Sequence, residues 1–341
     1  MKFTKEIVDA LNNFIIENVP AHPNDILSLT MEHFGLSKPT ALKYLNGLID
    51  AGALTKERKG RYPQYRLADT VFEYAYTVND ALDEDLIWRK DISPCLKDAP
   101  QNVRQICQYG FTGMVNNVID HSLSTTLRIL LSVNAREITF EITDTGIGIF
   151  KKIQTDLGLD DPRHSILELA KGKFTSDPQK HSGEGIFFSS RIFDHFSIYS
   201  GNLSFFGHKD DDRIFEQRGA GVDGTTVIMT IRKNSPLLIA GVFNEYTDPD
   251  KQPGFHKTAI PVQLMQYEGE SLMSRSQAKR LITRFDRFLE VVLDFAGVDM
   301  IGQGFADEVF RVFAAAHPGV HLTSINCNEH VRNMIHHVGA R

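Results

Sequence analysis

Apolar residues recur at helical spacing through the first fifty residues of the chain. A first helix is predicted over residues 3–17, with an apolar face formed by Ile7, Leu11, Phe14 and Ile15. A second helix is predicted over residues 24–33, and a third begins at Ser37, a residue type that caps helix N-termini. Residues 53–67 have the pattern of a β-hairpin with a basic tip.

The middle of the chain combines helical and strand patterns. Residues 105–122 and 185–193 have the spacing of amphipathic helices, whereas residues 138–144 and 224–231 have that of strands. Residues 71–88 carry apolar positions that predict a connecting helix, which would pack on the central part of the chain at a dimer interface or within the domain.

The C-terminal third repeats a strand and helix pattern. Residues 236–261, with several prolines and glycines, are predicted to be a linker. The elements predicted after the linker are helix 274–282, strand 288–298, helix 304–313, strand 320–326 and helix 328–338. Strands that alternate with helices predict an α/β layer with some parallel pairing.

Composition fits a globular protein of two or three domains. The chain has 341 residues, of which 42% are hydrophobic and 23% charged. No apolar run reaches about 18 residues and the start lacks a signal-peptide core, so we expect a soluble, cytoplasmic protein with no membrane partner. The three cysteines fit reduced thiols, and the histidines form no metal motif.

The strand over residues 138–144 leads into the most informative motif. Ile138, Phe140 and Ile142 share one face, so Asp144 is held at the strand end, where its carboxylate can accept a hydrogen bond from an exocyclic amine such as that of adenine. Gly146 and Gly148 then allow a tight turn and close approach of a ligand. An ordinary β-turn is the alternative explanation of this motif.

Three further segments carry candidate binding groups. Gly113, Asn117, Asp120 and His121 form a polar stripe on the helix predicted over residues 105–122, and a side-chain amide on that stripe can ligate Mg²⁺ beside a polyphosphate. A solvated helix face remains the alternative. Gly183 and Gly185 precede an apolar helix whose free N–H groups can cradle phosphate, although they can also be a flexible helix entry. Thr225 follows Gly224 in the last strand, and this strand also fits a plain sheet element.

These four segments, in this order, resemble the GHKL ATPase superfamily of gyrase B, ninety-kilodalton heat-shock chaperones, MutL, histidine kinases and anti-sigma-factor kinases. The resemblance covers residues 70–235 and implies an α/β sandwich that binds ATP and Mg²⁺, with residues 150–182 as the lid. It implies that Asn117 ligates Mg²⁺ and that Asp144 recognises adenine with support from Thr225. The complete predicted nucleotide-binding set is Asn117, Asp120, Asp144, Gly146, Gly148, Lys173, Gly183, Gly185 and Thr225.

One position departs from the superfamily pattern. Hydrolysing members have a glutamate four residues before the asparagine, as general base, but this chain has Gly113 there. The chain is therefore either a natural binder with little turnover or one from which the base was removed deliberately, and no catalytic residue is assigned.

The first 69 residues resemble the winged helices of bacterial transcription regulators. The third helix and the hairpin would offer basic and polar residues to duplex DNA: Lys38, Thr40, Lys43, Tyr44, Lys56, Arg58, Lys59 and Arg61. Since the whole chain has a net charge of −6, DNA binding depends on this local patch. A winged helix that binds a protein partner is the alternative.

The region 236–341, after its linker, resembles the STAS-like domains that are found fused to GHKL ATPases. In anti-sigma antagonists with the STAS fold, a serine before the helix that follows the central strand is phosphorylated. The corresponding residues 299–304 contain no hydroxyl group, which disfavours phosphorylation there.

The fold expected is thus multidomain α/β: a winged helix-turn-helix over residues 1–69, a GHKL sandwich over 70–235 and a small STAS-like domain within 236–341. The expected function is regulation of transcription, in which Mg-ATP binding controls the winged helix of a homodimer. An ATPase or anti-sigma-type protein kinase acting on a protein partner is the alternative, and a scaffold with a degenerate pocket is a third.

Overall fold

The computed structural model describes residues 3–59, 62–173, 183–207, 212–216, 221–247, 255–266 and 271–339, without the side chains of residues 59 and 62. Three predictions fall outside this description. They concern the side chain of Lys59, the residue Arg61, and residues 174–182 of the predicted lid.

The N-terminal unit consists of three helices and a hairpin. Its elements are α1 (Lys5–Asn18), α2 (Ile26–Phe34), α3 (Lys38–Asp50), β1 (Leu54–Lys59) and β2 (Tyr62–Leu67), with β1 and β2 antiparallel. Gly35 ends α2 in the left-handed conformation, with φ +62°, and Ser37 is the N-cap of α3. These two residues produce the short turn that the sequence predicts between the helices.

This unit has an apolar core of its own. Leu11 and Ile15 of the predicted α1 face are buried, but Ile7 is exposed. The core residues are Leu11, Ile15, Val19, Ile26, Leu45, Leu48, Leu54 and Tyr65. Since α1, α2, α3 and the hairpin all contribute, the core fixes α3 and the hairpin relative to each other.

A seven-stranded antiparallel sheet forms the centre of the molecule. Its strands are β3 (Thr70–Thr77), β4 (Thr126–Val133), β5 (Glu137–Asp144), β6 (His195–Gly201), β7 (Leu203–Gly207), β8 (Arg213–Glu216) and β9 (Val222–Arg232). The order across the sheet is β3-β4-β5-β9-β6-β7-β8. The long strands β5 and β9 therefore lie side by side near the middle of the sheet.

The connecting helix predicted over residues 71–88 is wrong for most of its length. Residues 70–77 form the edge strand β3, and the helix α4 spans only Glu84–Ile87 before a π-helical turn, Trp88–Ile92, and a 3₁₀ turn, Ser93–Leu96. In β3 the aromatic residues Phe72, Tyr74 and Tyr76 alternate with exposed positions, which is the two-residue period of a strand.

Helices pack on the central sheet or on one another. They are α5 (Gln101–His121), α6 (Ile149–Leu157), α7 (Arg163–Lys171), α8 (Gly185–Ile192) and α9 (Ile239–Tyr246). The long helix α5 packs against β5 and β9 and buries Ile106, Phe111, Met114 and Val118. Burial of this apolar stripe, at about 1.5–3 kcal/mol per large side chain, holds α5 over the sheet.

The C-terminal unit contains a three-stranded parallel sheet, in the order β10-β11-β12. The strands are β10 (Lys257–Pro261), β11 (Glu290–Asp294) and β12 (His321–Ile325). The helices are α10 (Arg275–Ile282), α11 (Gln303–Ala306), which continues through a π-helical stretch, Asp307–Phe313, into α12 (Ala314–Ala316), and α13 (Glu329–Gly339). The predicted α/β alternation and parallel pairing are confirmed, but residues 236–261 contain α9 and β10, which the linker prediction missed.

Contacts join all three parts of the chain. Glu17 of α1 accepts hydrogen bonds from Arg136 Nε at 3.2 Å and from Asn234 Nδ2 at 2.9 Å. Arg136 precedes β5 and Asn234 follows β9, so α1 is attached at one end of these strands. The central sheet and the C-terminal unit share one continuous apolar core. Within the described residues, no helix combines the length and the apolar character that crossing a membrane requires.

Candidate functional site

A cavity of about 320 Å³ lies between α5, the ends of β5 and β9, and the helices α6 and α8. This volume falls at the lower end of the range of small-molecule sites. Of the residues predicted to bind a nucleotide, the described part of the cavity wall includes Asn117, Asp144, Gly148, Gly183, Gly185 and Thr225. Four segments that are distant in sequence therefore meet around one space.

Asp144 lies at the end of β5 because of the alternation in that strand. Ile138, Phe140 and Ile142 are buried on the side that faces α5, and Asp144 continues the same face. Asp144 is 4% exposed and is paired in register with Thr225 of β9. The alternation of the strand thus places a buried carboxylate at the cavity.

Hydrogen bonds stabilise the buried carboxylate of Asp144. Its Oδ1 accepts from the backbone N–H of Gly146 at 2.7 Å. Burial raises the pKa of Asp144, while the hydrogen bonds from Gly146 and Thr225 lower it. A carboxylate in this setting has a second oxygen with which to accept a hydrogen bond from an amine of a ligand.

Thr225 connects the two central strands to α6. Its Oγ1 accepts a hydrogen bond from the backbone N–H of Ile149, the first residue of α6, at 3.0 Å. The same side chain forms a hydrogen bond with Asp144. Thr225 therefore fixes the start of α6 relative to the carboxylate.

The two glycines after Asp144 are required by close packing. A Cβ atom at Gly146 would lie 2.0 Å from the carbonyl oxygen of Ser122, at the end of α5. Gly148 has φ +84°, and a Cβ atom there would lie 2.6 Å from Ser200 Oγ. Gly148 lines the cavity, whereas Gly146 shapes it indirectly by letting the turn approach α5.

One face of α5 forms a wall of the cavity. Gly113, Asn117 and His121, spaced four residues apart, all lie on that wall, as the stripe predicts. The amide nitrogen of Asn117 lies 3.9 Å from Met114 Sδ, which is a weak contact. Asp120, also predicted to bind the nucleotide, is exposed on α5 and is not among the described residues of the wall.

Gly113 leaves room in the cavity wall. A Cβ atom added at this position meets no described heavy atom within 4 Å. The position that would carry a general base in hydrolysing GHKL proteins thus has space for a side chain.

The start of α8 forms another wall of the cavity. Gly183, with φ +70°, and Gly185, the first residue of α8, both line the cavity. The first N–H groups of a helix have no partner within the helix and can bind an anion. Phe187 and Phe188, buried behind them, anchor this end of α8.

Lys152, which the sequence did not indicate as a site residue, lines the cavity from α6. Its Nζ donates to the carboxylate of Asp156 at 2.7 and 2.8 Å. A lysine and an aspartate four residues apart resemble an ordinary surface pair of a helix. The available signal was its spacing: Lys152 lies one turn after Ile149 and next to Ile153, both of which also line the cavity.

Lys173 is not among the described residues that line the cavity. Its Nζ donates to the carbonyl oxygen of Arg287 at 2.9 Å and lies 5.0 Å from the ring centre of Phe288. In this conformation Lys173 contacts the C-terminal unit, and its predicted role in nucleotide binding stays a prediction.

The described residues contain no group of three or more His, Cys, Asp or Glu side chains that could hold a metal ion. A Mg²⁺ ion held by one amide and by ligand phosphates requires no such group, because this cation usually keeps several waters and phosphate oxygens in its shell. The amide of Asn117 on the cavity wall fits that arrangement.

The residues predicted to bind DNA lie on α3 and the hairpin. Lys38 and Lys43 of α3 and Lys56 and Arg58 of β1 are exposed, and Thr40 is half-buried. Tyr44 is also half-buried and packs against the core of the N-terminal unit, so little of its ring is left for a ligand. The four exposed cations form the described part of the basic patch.

Comparison with known proteins bears on the C-terminal unit. Residues 277–332 match the family model of the STAS-like domain of unknown function (DUF4325). This match confirms the STAS-like part of the sequence analysis, and it spans α10, β11, the helix that follows β11, and β12. No curated protein matches the chain.

Proposed function

We propose that the chain is an ATP-binding regulator of the GHKL class, in which Mg-ATP in the cavity controls a DNA-binding winged helix formed by α1, α2, α3 and the hairpin. The observation that carries the proposal is the buried carboxylate of Asp144, paired with Thr225, in a cavity that Gly183 and Gly185 at the start of α8 also line. This combination suits a ligand with an amine at one end and phosphates at the other.

The roles of the cavity residues follow from their chemistry. The carboxylate of Asp144, which can accept more than two hydrogen bonds, accepts the hydrogen bond of the adenine amine, and Thr225 holds that carboxylate in place. The N-terminal N–H groups of α8 bind phosphate oxygens. Asn117 would hold Mg²⁺, which supplies charge neutralisation beside the phosphates. Lys152 adds a positive charge to the same space.

Regulation rather than turnover is favoured by Gly113. A glycine has no group that accepts a proton, so the nucleotide acts as a bound signal and the cavity wall provides no general base at that position. The lack of a hydroxyl group in residues 299–304 also weighs against phosphorylation of the STAS-like domain at the turn before α11.

The winged helix is in contact with the strands that carry the cavity. Glu17 of α1 bonds to Arg136 and Asn234, which flank β5 and β9 at the ends opposite the cavity. The exposed cations of α3 and β1 give this unit a surface suited to the phosphates of DNA.

Calorimetric titration of Mg-ATP into wild-type protein and Asp144→Asn tests the proposal. We expect binding by the wild type and an affinity at least about tenfold lower for Asp144→Asn, since a charge-assisted hydrogen bond contributes about 1.5–3 kcal/mol. The amide keeps a single acceptor oxygen, which the N–H of Gly146 already uses.

Glu141→Gln is the matched control, because the same chemical change then falls on β5 at a position that faces away from the cavity. This variant should bind like the wild type. Absence of Mg-ATP binding by the wild type, or equal affinities for wild type and Asp144→Asn, would sink the proposal.

A further inference from the structure

The helix α7 lies between the cavity and the STAS-like domain. All its residues from Ser165 to Lys171 are buried, although the GHKL resemblance implies that they belong to the lid over residues 150–182. Leu169 lines the cavity, while the same helix packs against β10 and the 3₁₀ turn Val262–Met265 that follows it. One short helix therefore contacts both the candidate nucleotide site and the C-terminal unit.

Buried ionic groups fix α7 to the STAS-like domain. Glu168 accepts from Lys171 Nζ at 2.5 Å and from Arg284 Nη1 at 2.8 Å. All three side chains are at most 8% exposed. Lys171 also donates to the carbonyl oxygens of Arg280 and Thr283, at 3.3 and 2.9 Å. Charges buried to this degree hold their partners in one arrangement, because separating them leaves a charge without compensation.

The backbone at the end of α7 is also fixed to the C-terminal unit, by hydrogen bonds to its carbonyl oxygens. The carbonyl oxygen of Lys171 accepts from Thr258 Oγ1 at 2.8 Å. The next two carbonyl oxygens, of Gly172 and Lys173, accept from Arg284 Nη2 at 3.2 and 2.5 Å. Three consecutive carbonyl groups thus bind side chains of the C-terminal unit.

Backbone conformation supports a specific role for this contact. Arg284 has φ +66° and Lys173 has φ +52°, and both lie in the left-handed region that non-glycine residues rarely adopt. The two strained residues are direct partners, through Arg284 Nη2 and the carbonyl oxygen of Lys173. Such strain persists only where surrounding contacts enforce it, and it concentrates at functional positions.

We propose that Arg284 is a positioning residue through which the STAS-like domain sets the placement of α7, and with it the nucleotide affinity of the cavity. The inference rests on the proposed function and adds its regulation: a partner that binds the STAS-like domain changes ATP affinity through Glu168 and the carbonyl groups of Gly172 and Lys173. Coupling of this kind is reciprocal, so ATP binding must in turn stabilise the STAS-like domain.

Two variants of the full chain test the inference. Arg284→Met removes the ion pair and both carbonyl contacts, while Thr258→Val removes one hydroxyl at nearly constant volume and disturbs the fold less. We expect about tenfold weaker Mg-ATP binding for Arg284→Met and a smaller loss in the same direction for Thr258→Val. Arg284→Lys, which keeps the charge but cannot span all three acceptors, should fall between wild type and Arg284→Met. Arg275→Met, an exposed change elsewhere in the C-terminal unit, is the control and should bind like the wild type.

Hydrogen exchange provides a readout that a merely structural role would not change. Mg-ATP should slow amide exchange in α10 of the wild type, and this protection should be reduced in Thr258→Val. If wild type binds Mg-ATP but the Thr258 and Arg284 variants bind equally well, or if ATP leaves exchange in α10 unchanged, the inference fails while the proposed function stands. If the wild type does not bind Mg-ATP, both the proposed function and the inference that rests on it are wrong.

Discussion

Gly113 is the residue at which a single substitution has the clearest expected effect on chemistry. Its position on the cavity wall has open space for a side chain, and a glycine inside a helix costs about 1 kcal/mol relative to alanine. We predict that Gly113→Glu binds Mg-ATP, stabilises α5, and starts measurable release of phosphate, because a carboxylate there can accept a proton from water. Phosphate release at saturating Mg-ATP is the measurement.

Gly113→Gln separates proton transfer from the other effects of a longer side chain. The amide has the same size and a similar helix propensity but accepts no proton. Phosphate release that is equal for the Glu and Gln variants, or that stays at the wild-type level in both while ATP is bound, contradicts a general-base role at this position.

Lys171 gives a prediction about pH. Complete burial lowers the pKa of Lys171 from 10.5 to about 8, against the opposing effect of Glu168. Between about pH 8 and 10.5 the unfolded chain therefore binds more protons at this residue than the folded chain. The contribution of Lys171 to the free energy of unfolding consequently rises with pH across that window, on the order of 3 kcal/mol in total.

The measurement is the free energy of unfolding of wild type and Lys171→Met at several pH values from 7 to 10. Methionine fills the space but does not titrate, so wild type should gain stability relative to Lys171→Met as the pH rises above about 8. Exposed Lys97→Met controls for the loss of a lysine as such. A difference between wild type and Lys171→Met that does not change with pH argues against burial of the charged amine.

At the residue scale, the faces on which single residues lie could be predicted from the sequence, but the contacts between distant residues could not. Asp144, Asn117 and Thr225 were recognisable because local alternation and helical spacing place them on known faces. The partnership of Glu168 with Arg284 joins residues 116 positions apart, and no local pattern contains that information. Lys152 was missed because a pairing with Asp156 explains both residues without a ligand.

Among the elements, α3 and the hairpin carry the prediction of DNA binding. Charge reversal at Lys43 and Arg58, both exposed, should weaken binding to duplex DNA at least about tenfold and reduce its dependence on salt, because two phosphate contacts become repulsive. Gel-shift titrations at two or more salt concentrations measure both effects.

A double variant of the central part, Lys90→Glu with Lys97→Glu, changes the net charge equally at exposed positions outside the patch. It should leave most of the affinity intact. If both double variants lose the same affinity, only the overall charge matters, and if wild type binds no DNA, a protein partner becomes the better explanation of the basic patch.

The strand β3 shows why element type was the weakest part of the sequence analysis. Val71, Phe72, Ala75 and Val78 fit a helical face, but Phe72, Tyr74 and Tyr76 fit a strand equally well. Aromatic residues at every second position favour the strand, and pairing with β4 over eight residues decides the outcome. The type of element was also misjudged in residues 236–261, because their prolines and glycines predicted a linker where α9 and β10 form.

On the scale of the whole molecule, the STAS-like pattern near the C-terminus could be predicted from the sequence, but the packing of the parts of the chain on one another could not. Each unit has its own local pattern, and the STAS-like pattern is confirmed over residues 277–332. The continuous apolar core of the central and C-terminal parts, and the burial of α7 between them, depend on long-range packing. Local periodicity describes which side of an element is apolar without describing what covers it.

The hydrogen bonds from Arg136 and Asn234 to Glu17 determine which part of the chain would show a displacement of α7. The N-terminal unit is attached at the ends of β5 and β9 that lie about 26 Å from Asp144 in the cavity, since each residue of a strand adds about 3.3 Å. The STAS-like domain is tied instead to α7, on the wall. The two outer units therefore contact different elements around the same cavity, and a displacement of α7 relative to β5 and β9 would change the orientation of one outer unit relative to the other. A change in the relative orientation of the N-terminal unit and the STAS-like domain would therefore report a displacement of α7.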